Sequence, residues 1–269
     1  MINGGFTLDG ISAKELNIIM GHDSDRPILP NTVDRFLSIP GVNGILDFGA
    51  DVGARQFNLN CHIISKDYRT LQQASERIAS VLLDGYGKPK QLKLVFDVNP
   101  DRYFLVRYSG SLSINRLFGY GQFTLPLVVV GNPFGHSLDS SDAITWGSSV
   151  TWGSSIRWGD SWAYRVTGAG SVEINNWGTM IVKPIIELSG SITNIAISCN
   201  GKTFGYNAPL ASETLTINNN RMTVKKGTQN VLKHMTGDFI EHKAGINELS
   251  ITGTNLNLDV SFKFETLYF

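Results

Sequence analysis

His22, Asp23 and Asp25 stand together in one loop, and two carboxylates beside an imidazole can hold a divalent cation. The same residues in a polar, proline-containing loop serve turn chemistry, their carboxylates bonding nearby backbone amides, and that is the reading we favour. The other histidines, His62, His136, His234 and His242, are scattered, and no pair has the spacing of a metal site. No nucleophile elbow, HExxH, P-loop or GxGxxG between strand and helix occurs, and no carboxylate pair can be assigned across a cleft. The chain therefore reads as a non-enzyme with no metal and no cofactor. One stretch with recognition chemistry is ITWGSSVTWGSSIRWGDSW, Ile144 to Trp162, where Trp146, Trp152 and Trp158 fall six apart and Trp162 follows. Indole faces suit sugar rings, and they also pin a Gly/Ser-rich connection against a domain or a partner protein.

The elements that would position such residues are mostly strands. The 269 residues allow one large domain or two ordinary ones, and only 17% are charged, with 28 glycines. Few charges and many glycines fit strands joined by tight turns. Net charge is zero, with 23 residues of each sign and no polybasic run, against a nucleic-acid binder. Cys61 and Cys199 lie far apart without a CxxC partner and fit buried free thiols rather than a disulfide. The start, MINGGFTLDG, has no signal-peptide pattern, and no apolar run approaches a membrane span. We expect a soluble protein made in the cytoplasm, with no membrane insertion.

Along the chain, Asn3-Gly4-Gly5 and Asp9-Gly10 mark turns around a first strand. The polar loop from His22 to Thr32 has no obvious core to join and is expected to lie on a neighbouring subunit or on another ring of an assembly. Pro40-Gly41 and Asn43-Gly44 make a double corner between two strands. In ARQFNLNCHII, Phe57, Leu59, Cys61 and Ile63 alternate onto one face of a half-buried strand. One amphipathic helix follows, over about 66–84, with Leu71, Ala74, Ser75, Ile78 and Leu82 inward. Ser65 or Asp67 would cap it, and Gly85 would take a left-handed position after it. Asn99-Pro100-Asp101 reads as a turn between later strands. GNPFG, residues 131–135, closes the first domain, taken as 1–133. Residues 134–165 form a Trp/Gly/Ser-rich connection, and 166–269 carry strands at sandwich spacing. Within them Asn200-Gly201 and Asn218-Asn219-Asn220 are turns, and Pro184 demotes its strand to an edge or bulge.

The segment RFLSIPGVNGILDFG, Arg35 to Gly49, resembles the N-terminal signature of the distal tail proteins of long, non-contractile-tailed bacteriophages. Arg35, Pro40, Gly41, Gly44, Leu46 and Asp47 occupy the signature's places. Gly170-Ser171-Val172, Asn176, Gly178 and Pro184 fit the start of that family's C-terminal domain, and Gly237-Asp238-Phe239-Ile240 with Gly245-Ile246-Asn247 a late strand pair. The order of these pieces covers nearly the whole chain.

The resemblance implies a mainly β chain: a tail-tube-like N-terminal β-domain with one helix, then a galectin-like β-sandwich. It implies a homohexameric ring at the virion tail tip, between the tail tube protein and the tail-associated hub protein, often with receptor-binding proteins outside. Arg35, Pro40, Gly41, Gly44 and Asp47 become candidate structural or interface residues. Arg35 has two readings: it crosses a subunit boundary, or it lies over its own sheet and pairs with Asp47. The competing function is a carbohydrate-binding protein that uses the tryptophans or the sandwich for host cell-wall glycans.

Overall fold

The computed structural model describes residues 4–144 and 160–269. Trp146, Trp152 and Trp158 lie outside the described residues. The chain divides into two units, Met1–Gly135 with Phe269, and His136–Tyr268.

In the first unit the alternation of ARQFNLNCHII becomes a nine-residue strand. The strands are β1 (Phe6–Leu8), β2 (Ile11–Ser12), β3 (Ile18–Met20), β4 (Thr32–Leu37), β5 (Leu46–Val52), β6 (Gln56–Ile64), β7 (Gln91–Phe96), β8 (Asn99–Tyr108), β9 (Asn115–Leu117) and β10 (Tyr120–Val129). The main sheet runs β2-β1-β7-β8-β10-β6-β3, with β9 folded back on β10, while β4 and β5 pair only with each other. Phe57, Leu59, Cys61 and Ile63 of β6 are buried with Leu92, Leu94, Phe123 and Leu125 from neighbouring strands.

Helix α1 (Tyr68–Leu82) adds Leu71, Ala74, Ile78, Val81 and Leu82 to this core. Asp67 caps it, accepting from the Thr70 backbone N–H at 2.8 Å. Ser75, expected inward as a packing residue, instead spends its hydroxyl on the Leu71 carbonyl one turn back. The end differs from expectation too. Leu83 leaves the helix in an extended conformation, and the left-handed glycine is Gly87 (φ 77°), not Gly85. The expected turn at Asn99-Pro100-Asp101 also shifts: Phe96 pairs with Asn99, so Asp97 and Val98 turn the chain. Pro100 sits in β8 beside the register shift between Leu94 and Phe96, where a residue without an N–H is tolerated.

In the second unit two antiparallel sheets share one core. Strand β11 (Gly135–Ser137) begins at the division and pairs with β23 (Leu267–Tyr268). The six-stranded sheet runs β12 (Ala163–Val166), β22 (Asn257–Lys263), β14 (Ile185–Ile192), β17 (Leu210–Asn218), β18 (Thr223–Lys226), β19 (Gln229–Asn230). The five-stranded sheet runs β13 (Gly170–Asn176), β21 (Gly245–Thr254), β15 (Asn194–Cys199), β16 (Lys202–Tyr206), β20 (Met235–Gly237). Ile186, Leu188, Leu215 and Val260 from the first meet Ile197, Phe204, Leu249 and Ile251 from the second. The mainly β fold inferred from the sequence is the observed one. Asn200 and Gly201 both have positive φ in a two-residue hairpin joining Cys199 to Lys202.

Pro184 does not push its strand to an edge. It ends just before Ile185, and β14 lies centrally between β22 and β17. Its carbonyl instead receives the side-chain amide of the buried Asn219 at 2.6 Å, while the Asn219 oxygen accepts from the Ile240 N–H. Later in β14 the register shifts at Gly190, which has φ 143°, and a Cβ there would sit 2.3 Å from the Asn257 carbonyl oxygen. Gly190→Ala is expected to cost about 2 kcal/mol or more, read as a lower urea midpoint by the fluorescence of the core residue Trp177.

Candidate functional site

Strands β4 and β5 form a hairpin arm whose tip is built by the predicted turn residues. Ile39 accepts from the Val42 N–H at 3.1 Å across Pro40 and Gly41, and Gly41 has φ 86°, the geometry of a type II turn. Gly44 has φ 98°, so it too takes a conformation that disfavours any side chain. The strands pair Thr32 with Val52 and Leu37 with Leu46, with a register shift between Asp34 and Phe36.

That shift changes the partner of Arg35. It pairs with Asp51, not with Asp47, and both side chains are exposed. Asp47 accepts from the Gly49 N–H at 2.8 Å, holding the backbone beside another left-handed glycine. Candidate residues Arg35, Pro40, Gly41, Gly44 and Asp47 therefore all lie on one arm.

Every residue from 31 to 52 is exposed. Phe36 is 60% exposed and Phe48 67%, and Val33, Leu37, Ile45 and Leu46 are open as well. Paired residues share a face, so Phe36 opposite Asp47 and Leu37 opposite Leu46 place apolar groups on both faces. A two-stranded hairpin is marginal alone, and apolar surface of this extent makes the arm the candidate contact site.

The preceding loop is tied to its own unit, where the sequence offered it no core to join. Asp25 exchanges backbone hydrogen bonds with Asn58, and the Asn60 amide donates to the Asp23 carbonyl. Arg55, which sequence reasoning missed, provides the firmest tie. Its guanidinium is buried, donates to the carbonyls of Pro27 and Ile28 at 2.8 Å, and lies over the rings of Phe57 and Phe104. Burial lowers its pKa. The signal was available: Arg55 is two residues before Phe57, so a period of two turns it inward. Ile28 and Leu29 remain exposed beyond the tie.

In the second unit Trp162 is half-buried. Its indole N–H donates to the Asn175 carbonyl at 3.3 Å, and its ring meets Trp177 edge-on at 5.3 Å. Among the described residues, no cluster of three or more His, Cys, Asp and Glu has metal-binding geometry. His242 is fully buried between Phe262 and Phe264, and neither ring nitrogen has a hydrogen-bond partner. Burial pushes its pKa down to about 4. The unfolded chain takes up this proton near pH 6.5, which the folded chain refuses until about 4. Stability is thus fullest above pH 6.5 and falls as pH drops towards 4, by ~3 kcal/mol from this group. His242→Leu should flatten that part of the pH dependence, measured by urea unfolding at pH 7, 6, 5 and 4.

Comparisons with known proteins place this geometry. Residues 11–129, which include the arm, match the family described as phage tail protein RIFT-related domain. No curated protein matches by sequence. The crystal structure of the SPP1 Dit (gp 19.1) protein, titled a paradigm of the hub adsorption apparatus in Gram-positive infecting phages, superposes with a TM-score of 0.69 at 15% identity, over 98% of this chain and 99% of that one. Two structures of the phage P2 baseplate in its activated conformation, with Ca and with Sr, give TM-scores of 0.38 and 0.41 at 10% identity, covering 98% and 97% of both chains. Those two likenesses are too loose to bear on the fold. Residues 11–129 thus match the phage tail protein RIFT-related domain, and the chain as a whole has the fold seen in the SPP1 Dit protein.

Proposed function

We propose that this chain is a structural, non-catalytic component of a phage tail tip. Six copies close into a ring that joins the tail tube protein to the hub protein and offers an outer surface to receptor-binding proteins. The observation that carries this reading is the arm: a tail-protein domain that holds its apolar residues away from its own core is built to be covered by something else. A cyclic ring uses two different patches on each subunit, and an arm supplies one of them. Arg35, Pro40, Gly41, Gly44 and Asp47 act here by shaping the arm, and its apolar residues make the contact. The alternative, a glycan-binding protein, loses Trp162 from its platform, because that indole is spent on Asn175 and Trp177.

The full chain at high concentration, alone or with the tail tube protein, is expected to give particles of about six times 29.5 kDa by mass photometry, with six-fold rings by electron microscopy. A monomer under both conditions would overturn the proposal. The double variant Phe36→Asp, Phe48→Asp should disperse the ring yet change unfolding free energy by no more than about 0.5 kcal/mol, because these side chains touch no core.

A further inference from the structure

Asn followed by Gly is the residue pair most prone to modify itself in water. The Gly backbone nitrogen bonds to the Asn side-chain carbonyl carbon, and a succinimide ring closes. The bond from that carbon to the amide nitrogen breaks, and ammonia leaves with the proton the Gly nitrogen has lost. Water then opens the ring to aspartate or isoaspartate. No enzyme, oxidant or reductant takes part, and the neutral amide becomes a carboxylate. The sequence holds three such pairs, Asn3-Gly4, Asn43-Gly44 and Asn200-Gly201. Asn3 lies outside the described residues. The other two sit in opposite surroundings.

Asn200 is held. With Gly201 it forms the two-residue hairpin that joins Cys199 to Lys202. Its side-chain amide donates to the Asn247 oxygen at 2.7 Å and to the Glu241 carbonyl at 3.0 Å. The nitrogen that would leave as ammonia is thus fixed, and closing the ring breaks both bonds. Asn43 is open. It lies exposed at the tip of the β4–β5 arm, and no described residue hydrogen-bonds its amide. Gly44 beside it has φ 98°, and a Cβ there would meet nothing within 4 Å, so nothing crowds the attacking residue.

We propose that Asn43-Gly44 is a self-modification site that converts the arm tip from neutral to anionic. Between Arg35 and Asp47 no residue is charged. Ile39, Val42 and Ile45 flank Asn43 and are exposed. A carboxylate in their midst must be desolvated whenever the tip is covered, which costs far more than covering an amide. Isoaspartate changes the shape as well. It lengthens the backbone by a methylene in a tip whose path is set by the left-handed Gly41 and Gly44. The unassembled chain therefore carries a limited lifetime of contact competence in its arm, while the hairpin at Asn200 persists. That consequence rests on the arm being a contact, whereas the modification itself does not.

Mass spectrometry of the full chain tests the site. The chain is aged at mildly alkaline pH, which eases loss of the Gly44 amide proton, and then digested with trypsin. The fragment 36–55 holds Asn43 as its sole amide side chain. That fragment should shift from the amide to the acid mass within days. Asn200 should convert about tenfold more slowly or less, the factor that one hydrogen bond can supply. Asn43→Gln should stay intact, because its longer side chain closes a six-membered ring far more slowly. An unconverted Asn43, or one no faster than Asn200, would overturn the site. Mass photometry of fresh and aged chain then reads the consequence. Aged wild type and fresh Asn43→Asp should lose most of the ring, and aged Asn43→Gln should keep it. Rings of Asn43→Asp equal to wild type would overturn the loss of competence and leave the modification standing. No ring from fresh wild type would remove the ring reading and the loss of competence together, with the site still decided by mass.

Discussion

The ladder between β6 and β10 fixes more of this molecule than any other pairing. It runs unbroken from Tyr120 opposite Ile64 to Val128 opposite Gln56. A strand has a period of two, so one register decides both faces at once. The setting that buries Phe57, Leu59, Cys61 and Ile63 also turns His62 and Ile64 outward beside Tyr120. It turns Arg55 inward as well, where the guanidinium can reach the carbonyls of Pro27 and Ile28. A slip by one residue would exchange core for surface and release the loop together. The core, the loop tie and the outer apolar face are therefore consequences of one ladder.

The arm is under the opposite constraint, since no core dictates its register. Its shape comes from backbone chemistry: the Pro40-Gly41 turn, the left-handed Gly44 and Gly49, and the Asp47 carboxylate on the Gly49 N–H. The exposed Arg35–Asp51 pair adds little, because ion pairs in water contribute about 0–1 kcal/mol. Turn chemistry can fix a hairpin's geometry without making it stable alone. Apolar side chains on both faces then have no reward within the chain, only in contact with another surface.

What was legible in the sequence was what depends on neighbours a few residues away. The alternation of β6, the inward stripe of α1 with its Asp67 cap, and the Asn200-Gly201 hairpin all follow from local period or backbone preference. What was missed depends on partners far along the chain. Pro184 reads as a strand breaker, and only the fold shows that β14 starts one residue later, between two partners. Arg35 reads as a partner for Asp47, but the shift between Asp34 and Phe36 sets Asp47 opposite Phe36, and Arg35 pairs with Asp51. The exposure of the arm was hidden for a deeper reason. Strands rich in Phe, Leu, Ile and Val imply burial, and sequence cannot say whose surface does the burying. Arg55 is the exception, since its spacing from Phe57 announced an inward cation.

The two units divide the work of folding and contact unequally. The second unit buries its apolar residues between its own sheets, and satisfies buried amides internally: Asn247 alone holds the carbonyls of Lys243 and Gly245 and the N–H of Lys243. Among its described residues, the large apolar side chains left open are Ile181, Met222, Leu232 and Ile246, dispersed along the sequence. In the first unit the open apolar residues gather instead on the arm and on the face around Ile64 and Leu117. Scattered exposed apolar residues are normal for any protein, but gathered ones mark contact surfaces. The family match falls on that same first unit, across residues 11–129. The physical case for assembly thus rests on the N-terminal unit, where a single chain carries both an arm that needs a cover and a second open apolar face around Ile64 and Leu117.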